Sequence, residues 1–390
     1  MAIEKNIIPP STEDLTKSRN PEEVQVEEIM NIVSSEDNVT MLDDGSAILG
    51  DSEDEMIQSD FDSNLAELIE ESELAKISNK LIGGIEKDTS SREDWEKTYT
   101  DGLKYLGMKF DAERSQPFQG ASGVTHPLLG EAVTTFQAQA YKELLPSNGP
   151  VKTQVVGFYD SIKEHQAQRV QDFMNYQIVH VMEEFDEELD QMLFYLPLAG
   201  SAFKKVYYDE NLGRAVSKFV PPEDLIVPYY TTDLESCSRI TNVIKMSEND
   251  VKKLQASGFY RMIDLDVGQD VVENSQIKEE INKLSGIKTG YDSDDLAVLY
   301  EVHCNLDLDG FEDVDREGNI TGIKLPYIVT IDANNQEILS IRRNFKEGDP
   351  LKNKVEYFVH FKFLPGLGFY GFGLTHMMRT PLFSLESLEM

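Results

Sequence analysis

Apolar residues fall at two different spacings along this chain, and the change comes near residue 200. In the first half, Leu129, Ala132, Val133, Phe136 and Ala140 recur at intervals of three and four, which puts them on one face of a helix. Thr125 stands ready to cap that helix and Pro127 sits in its first turn, where no backbone donor is needed. Pro146-Ser-Asn-Gly-Pro150 stops it. A longer helix is predicted from about Ser161 to Leu193, opened by a capping box of Ser161 and Glu164. Val170, Phe173, Met174, Val181, Phe185, Leu189 and Met192 form its apolar face, and Glu183, Glu184, Glu187 and Glu188 crowd the remainder. Like charges four residues apart each cost roughly a few tenths of a kcal/mol in an isolated helix, so a solvated face is the expected setting for these acids. An earlier helix start is read at Ser91-Arg92-Glu93-Asp94, with Ser91 as the cap and order beginning near Trp95.

From Gly200 the pattern alternates. Ala202–Tyr208 and Arg214–Val220 flank Asn211-Leu-Gly213 as the arms of a β-hairpin would. A short helix near Ser247–Ser257 and an acidic stretch to about Asp295 follow. Four strands are then predicted, Ala297–Leu306, Tyr327–Asp332, Ile338–Arg343 and Glu356–Phe363, with turn residues at Asp309-Gly310, Glu317-Gly318 and Asn334-Asn335 between them. The expectation is an α+β fold, with a helical portion over residues 76–195 and an antiparallel β-rich portion over 196–376.

Residues 1–75 follow neither pattern. Charge explains why: residues 1–90 hold 23 acids against 6 bases, close to half of the chain's net −35. Low hydrophobicity with high charge cannot offset the entropy of ordering, so 1–75 is read as an acidic flexible arm, with one short helix near Phe61–Leu81. The same balance disfavours a nucleic-acid clamp, which needs clustered Lys and Arg. Two cysteines, Cys237 and Cys304, are too few for a disulfide framework and lack metal-ligand spacing, which fits a reducing compartment. The first ten residues do not read as a signal peptide, and the longest apolar run, Met192–Phe203, is broken by Pro197 and too short for a bilayer. No membrane association is expected, and synthesis is expected in the cytoplasm.

Candidate chemistry is sparse. Gly120-Ala-Ser-Gly123 has the glycines of a phosphate loop but no Lys after them. Asp313-Val-Asp-Arg-Glu-Gly-Asn-Ile-Thr-Gly-Ile-Lys324 imitates a calcium loop until its last position, where Lys324 replaces the bidentate Glu; a polar hairpin turn is the simpler reading. His180-Val-Met-Glu183-Glu184 lacks the second His of an inverted zinc-protease pattern. No catalytic, cofactor-binding or metal residue is assigned, and no enzyme is expected. A metal-dependent hydrolase built on clustered carboxylates is the alternative, since sequence does not reveal convergence in space.

Three segments carry more specific information: Phe118–Pro146, Leu198–Asp209 and Tyr357–His376, the last reading Tyr-Phe-Val-His-Phe-Lys-Phe-Leu-Pro-Gly-Leu-Gly-Phe-Tyr-Gly-Phe-Gly-Leu-Thr-His. In their order and combination they resemble the portal proteins of tailed bacteriophages, in the branch of large portals, over about residues 90–376. The resemblance implies a wing-like mixed α and β body and assembly with itself as a ring of twelve at one capsid vertex. It also implies contact with a terminase motor, the capsid and tail or neck proteins, and passage of double-stranded DNA without sequence-specific binding. The implied location is the portal vertex of the virion, with the host cytoplasm during assembly. Another virion neck component is the related alternative. Residues 377–390 depart from the family, which continues with a longer helix, so a truncated form whose rings assemble poorly is expected. No DNA-contact residue is carried over.

Overall fold

The computed structural model describes residues 39–41, 47–49, 61–106, 127–158, 160–209, 212–265, 276–285, 296–314 and 319–378. The chain divides into two compact units, residues 1–60 and 61–390. In the first unit two short strands, β1 (Val39–Met41) and β2 (Ala47–Leu49), pair antiparallel with Thr40 opposite Ile48. The rest of the arm read over residues 1–60 lies outside the described residues. The last part of that arm, residues 61–75, is corrected: it belongs to the second unit. Leu65 and Leu74 are buried there, so a few well-placed apolar side chains outweigh a polar average.

The second unit is an α+β fold. A 3-10 turn at Leu65–Glu67 leads into α1 (Glu71–Ser91) and α2 (Glu93–Leu103). Next come α3 (Leu128–Leu144), α4 (Ser161–Tyr176) and α5 (Phe185–Ala199). The single short helix expected near Phe61–Leu81 is thus the start of a 21-residue helix. Ser91 ends α1 rather than capping α2; its hydroxyl donates to Asp88 O and accepts from Tyr229 N. For α3, Leu129 and Val133 are buried as their spacing predicts, and Pro127 immediately precedes the first turn. Thr125 and the Gly120–Gly123 loop lie outside the described residues.

The long helix predicted over 161–193 is broken. After α4 the chain forms a π-helical turn, Gln177–Val181, and then leaves helical geometry at Met182 (φ −88°, ψ 78°) before α5 begins. A π turn inserts an extra residue per turn, which shifts the apolar face across the break. Leu189 and Met192 are buried in α5, but no residue of α4 is buried. The cap of α4 is Asp160, which accepts from Ile162 N at 3.2 Å, one residue ahead of the Ser161 that was read as the cap.

Two antiparallel sheets follow. The hairpin β3 (Ser201–Asp209) and β4 (Arg214–Val220) forms as predicted, turning at Gly213 (φ +62°). β10 (Phe358–Lys362) joins the free side of β3, giving the order β10-β3-β4. The second sheet runs β5-β6-β7-β8-β9, built from Leu225–Ile226, Arg239–Ser247, Leu296–Leu306, Leu325–Asp332 and Ile338–Arg343. The single run of late strands is therefore split between two sheets, and β6 falls where no strand was predicted. Helices α6 (Glu248–Ala256) and α7 (Gln276–Ser285) lie between β6 and β7, the second inside the stretch read only as acidic.

Packing explains the split. Val302, Cys304, Tyr327, Val329 and Ile341 of the second sheet pack with Leu74, Leu81 and Ile85 of α1. Ala297, Leu299 and Leu339 pack with Val251 of α6. The sheet is buried on both faces, so its strands do not show the clean alternation of a half-solvated sheet. α5 packs with Ala202 of β3, together with Phe136 and Tyr141 of α3 and Phe361 of β10. Among the described residues no helix is long and apolar enough to cross a membrane.

Candidate functional site

The segment Leu364–Thr375 is held by glycines. Gly200 follows α5 in the left-handed region (φ +83°), and a Cβ there would collide with the backbone of 371–373. A Cβ on Gly371 would strike Gly200 O, and one on Gly373 would strike Leu198 O. Two stretches of backbone therefore meet with no side chain between them. Hydrogen bonds close the seam. Thr375 Oγ1 donates to Leu198 O at 2.8 Å, Phe363 N to Gly200 O at 3.0 Å, and Gly371 N to Ser201 Oγ at 2.8 Å. Ser201 Oγ also lies 3.0 Å from His360 Nε2. Burial pushes the His360 pKa down to about 3, with Lys362 adding to the shift.

A buried guanidinium ties this seam to the N-terminal helices. Arg92, between α1 and α2, donates from Nη1 to Pro222 O, Leu225 O and the Tyr370 hydroxyl at 3.0–3.1 Å, and from Nη2 to Glu223 O at 2.7 Å. Its Nε pairs with Glu96 at 2.7 Å. Tyr370 stacks on Trp95, with centroids 4.4 Å apart, and donates to Leu225 O at 2.9 Å. A charge this deeply buried persists only when it is paired and most of its donors are engaged. Glu223, in the same turn, has its carboxyl raised to about 7 by burial, with the neighbouring Asp224 adding to it.

A second ion cluster joins the two sheets. Lys205 of β3 donates to both oxygens of Glu301 of β7 at 2.6–2.7 Å, and His303 Nε2 lies 2.9 Å from Glu301 Oε1. Burial works to raise the Glu301 pKa, but Lys205 and His303 outweigh it and hold the carboxyl down at about 2.

Of the acids expected on a solvated face, Glu183 and Glu187 are exposed, and Glu184 and Glu188 are not free. Glu184 Oε1 accepts from Ser217 N at 3.1 Å and Glu188 Oε2 from Phe219 N at 2.5 Å, while Arg214 pairs with Glu184 at 2.5 Å. Four residues of helix span about 6 Å and two of strand about 6.8 Å. Glutamates at i,i+4 therefore reach alternate N–H groups on the outer edge of β4. Burial opposes ionisation of Glu184, yet these hydrogen bonds and Arg214 outweigh it and hold its pKa below the usual carboxylate range.

The motifs singled out in the sequence do not converge. Asp313 is engaged by Lys352 and by Thr321 Oγ1 at 2.6 Å, and Val314 bridges Ile320 antiparallel. The calcium-like stretch is therefore a polar hairpin over its described residues; 315–318 lie outside them. His180 is exposed in the π-helical turn and contacts the Tyr176 ring. Cys237 and Cys304 are both buried and free. Among the described residues no group of three or more His, Cys, Asp or Glu is placed to hold a metal ion.

One surface was missed in the sequence. Residues 151–156 lie beside α4 and are held by its side-chain amides. Asn175 Oδ1 accepts from Val151 N at 2.8 Å and its Nδ2 donates to Val151 O at 3.1 Å; Gln171 Oε1 accepts from Thr153 N at 3.2 Å. The apolar stripe beside this strap stays open: Phe158 is 92% exposed, Ile162 64%, and Val170 and Phe173 54% each. Sequence shows the stripe but not that it lacks a cover. No protein-family model matches the chain, and no curated protein matches it.

Proposed function

We propose that the chain is a structural subunit of a tailed-phage portal ring, the channel at one capsid vertex through which DNA is packaged and later ejected. The observation that carries this reading is the packing of the three segments in which the sequence resembles portal proteins. Residues 198–209 and 357–376 form one seam through β3, β10 and the glycines at 200, 371 and 373. The helix of the first segment, α3, packs with α5 in the cluster that also holds Phe361 and Phe363. Gln137 Nε2 donates to Asp190 Oδ1 at 2.8 Å across the α3–α5 contact. Segments far apart in sequence thus serve one body, as they would in a conserved subunit core.

The net charge of −35 supports a role in which DNA slides past rather than binds, since such a surface repels a polyanion. In this reading the chain performs no catalysis. A terminase supplies the work, capsid and tail or neck proteins flank the ring, and the ring sits at the portal vertex of the virion. Negative-stain microscopy and light scattering on the full-length protein test it. Rings of about twelve subunits, as the family resemblance implies, are the expected result. A product that stays monomeric over a wide concentration range overturns the reading.

A further inference from the structure

We infer that residues 151–181, the strap and α4, form an arm that docks on the start of α5 in a second copy of the chain; the inference rests on the reading of the protein as a ring subunit. The arm is apolar where it is open. Val156, Phe158, Ile162, Val170, Phe173 and Met174 are all exposed, and Val170, Phe173 and Met174 follow the spacing of a helix stripe made to be covered. A contiguous exposed stripe of this kind marks a contact surface.

Charge selects the occupant. The chain carries −35 overall, so two copies repel over most of their surface. Within the arm Lys152, Lys163 and Arg169 balance Asp160, Glu164 and Asp172, which makes it a place where copies can touch without adding like charge. Its three cations are exposed. Glu183, in the turn just before α5, and Glu187, in its first turn, both stand exposed, and the carboxylates beside them, Glu184 and Glu188, are already committed to β4. The free pair offers an acidic seat for the arm's cations while the aromatic stripe lies against the neighbour. Because the two patches differ, the contact is head-to-tail, the type that closes into a ring when its rotation closes. A nucleic-acid occupant is disfavoured, because the arm has no net positive charge.

The test replaces Phe158 by the photo-crosslinking analogue p-benzoylphenylalanine in the full chain. Illumination is expected to give a product of twice the chain mass whose linked peptide includes residues 183–199. Phe173→Glu is expected to reduce that product at least tenfold, with the melting temperature unchanged because the side chain is exposed. Glu183→Lys with Glu187→Lys is expected to reduce it about fivefold, and mixing with a crosslinker chain carrying Lys163→Glu and Arg169→Glu restores it. No intermolecular product, a product mapping elsewhere, or crosslinking only when phosphatidylcholine vesicles are present overturns the inference. Rings in the microscope with crosslinks mapping elsewhere remove this contact and leave the portal reading. Crosslinks to α5 without rings remove the portal reading and leave the contact.

Discussion

The two sheets end on edges that are closed in different ways. The outer edge of β4 is closed by two carboxylates at the start of α5, and that of β9 by one carboxamide together with the Arg261 amide, which donates to Leu339 O at 2.9 Å. Asn64 donates from Nδ2 to Leu339 O at 3.0 Å and accepts at Oδ1 from Ile341 N at 3.0 Å, reproducing both bonds of a missing strand. The same Oδ1 accepts from Ala66 N at 3.1 Å, so Asn64 also starts the 3-10 turn. A carboxylate only accepts, so Glu184 and Glu188 serve N–H groups alone and need Arg214 and the helix to hold them. Both devices deny the edge to another chain, but only the one on β4 depends on ionisation.

That difference is open to experiment. Asn64→Ala leaves the Ile341 amide without its partner and removes the cap on Ala66. It is expected to lower stability by about 2–3 kcal/mol, read by urea denaturation; a loss below about 0.5 kcal/mol would show that water replaces the amide. Asn64→Asp keeps the acceptor and turns the donor into an oxygen facing Leu339 O, at a cost of about 2 kcal/mol. The buried Asp has its folded pKa raised, so the loss is full above that value and shrinks as the pH falls and the carboxyl regains a proton to donate. A pH-independent loss would contradict this. On the other edge, Glu184→Gln with Glu188→Gln preserves acceptors but removes charge, for about 1 kcal/mol.

The finest expected difference is in amide exchange. The lowered pKa of Glu184 means that its contribution is present above about pH 4.5, near the unfolded-state value, and is lost as the pH falls through the folded value. Protection of the Ser217 amide is therefore expected to fall in mild acid while that of Ile341 holds. Glu301, held down at about 2, keeps the sheets joined through that range. Equal loss at both amides would mean global unfolding rather than opening of one edge.

Much of the fold is legible in the sequence where spacing or a β-branched run marks an element. The hairpin around Gly213 and the α3 stripe of Leu129 and Val133 sit within a residue or two of where spacing puts them, and the strands ending at Asp332 and Arg343 are legible as short apolar runs between turns although both faces of their sheet are buried. Legibility fails where polar residues interrupt such a run. β6 carries Thr241 and Asn242, both buried, so its pattern does not read as a strand. It fails again at Met182, because apolar residues continue across the π turn while the face they define does not. The acids of α5 show the same limit for the candidate site: nothing local separates Glu183 from Glu184, whose different fates depend on β4 lying alongside. Asn64 reaches residues 275 and 277 positions away, beyond any spacing argument. The open stripe of α4 reads in sequence like any buried one.

The guanidinium of Arg92 has a consequence for how the protein is made. Its partner Tyr370 is 278 residues further along. At about 5–20 residues per second a ribosome needs tens of seconds to cover that distance. Throughout that interval the helices around Arg92 emerge with a charge they cannot bury. Closure of the core therefore waits on a tyrosine translated near the end of the described chain, and a chain interrupted before it is left with an open interior for the cell's quality control to find.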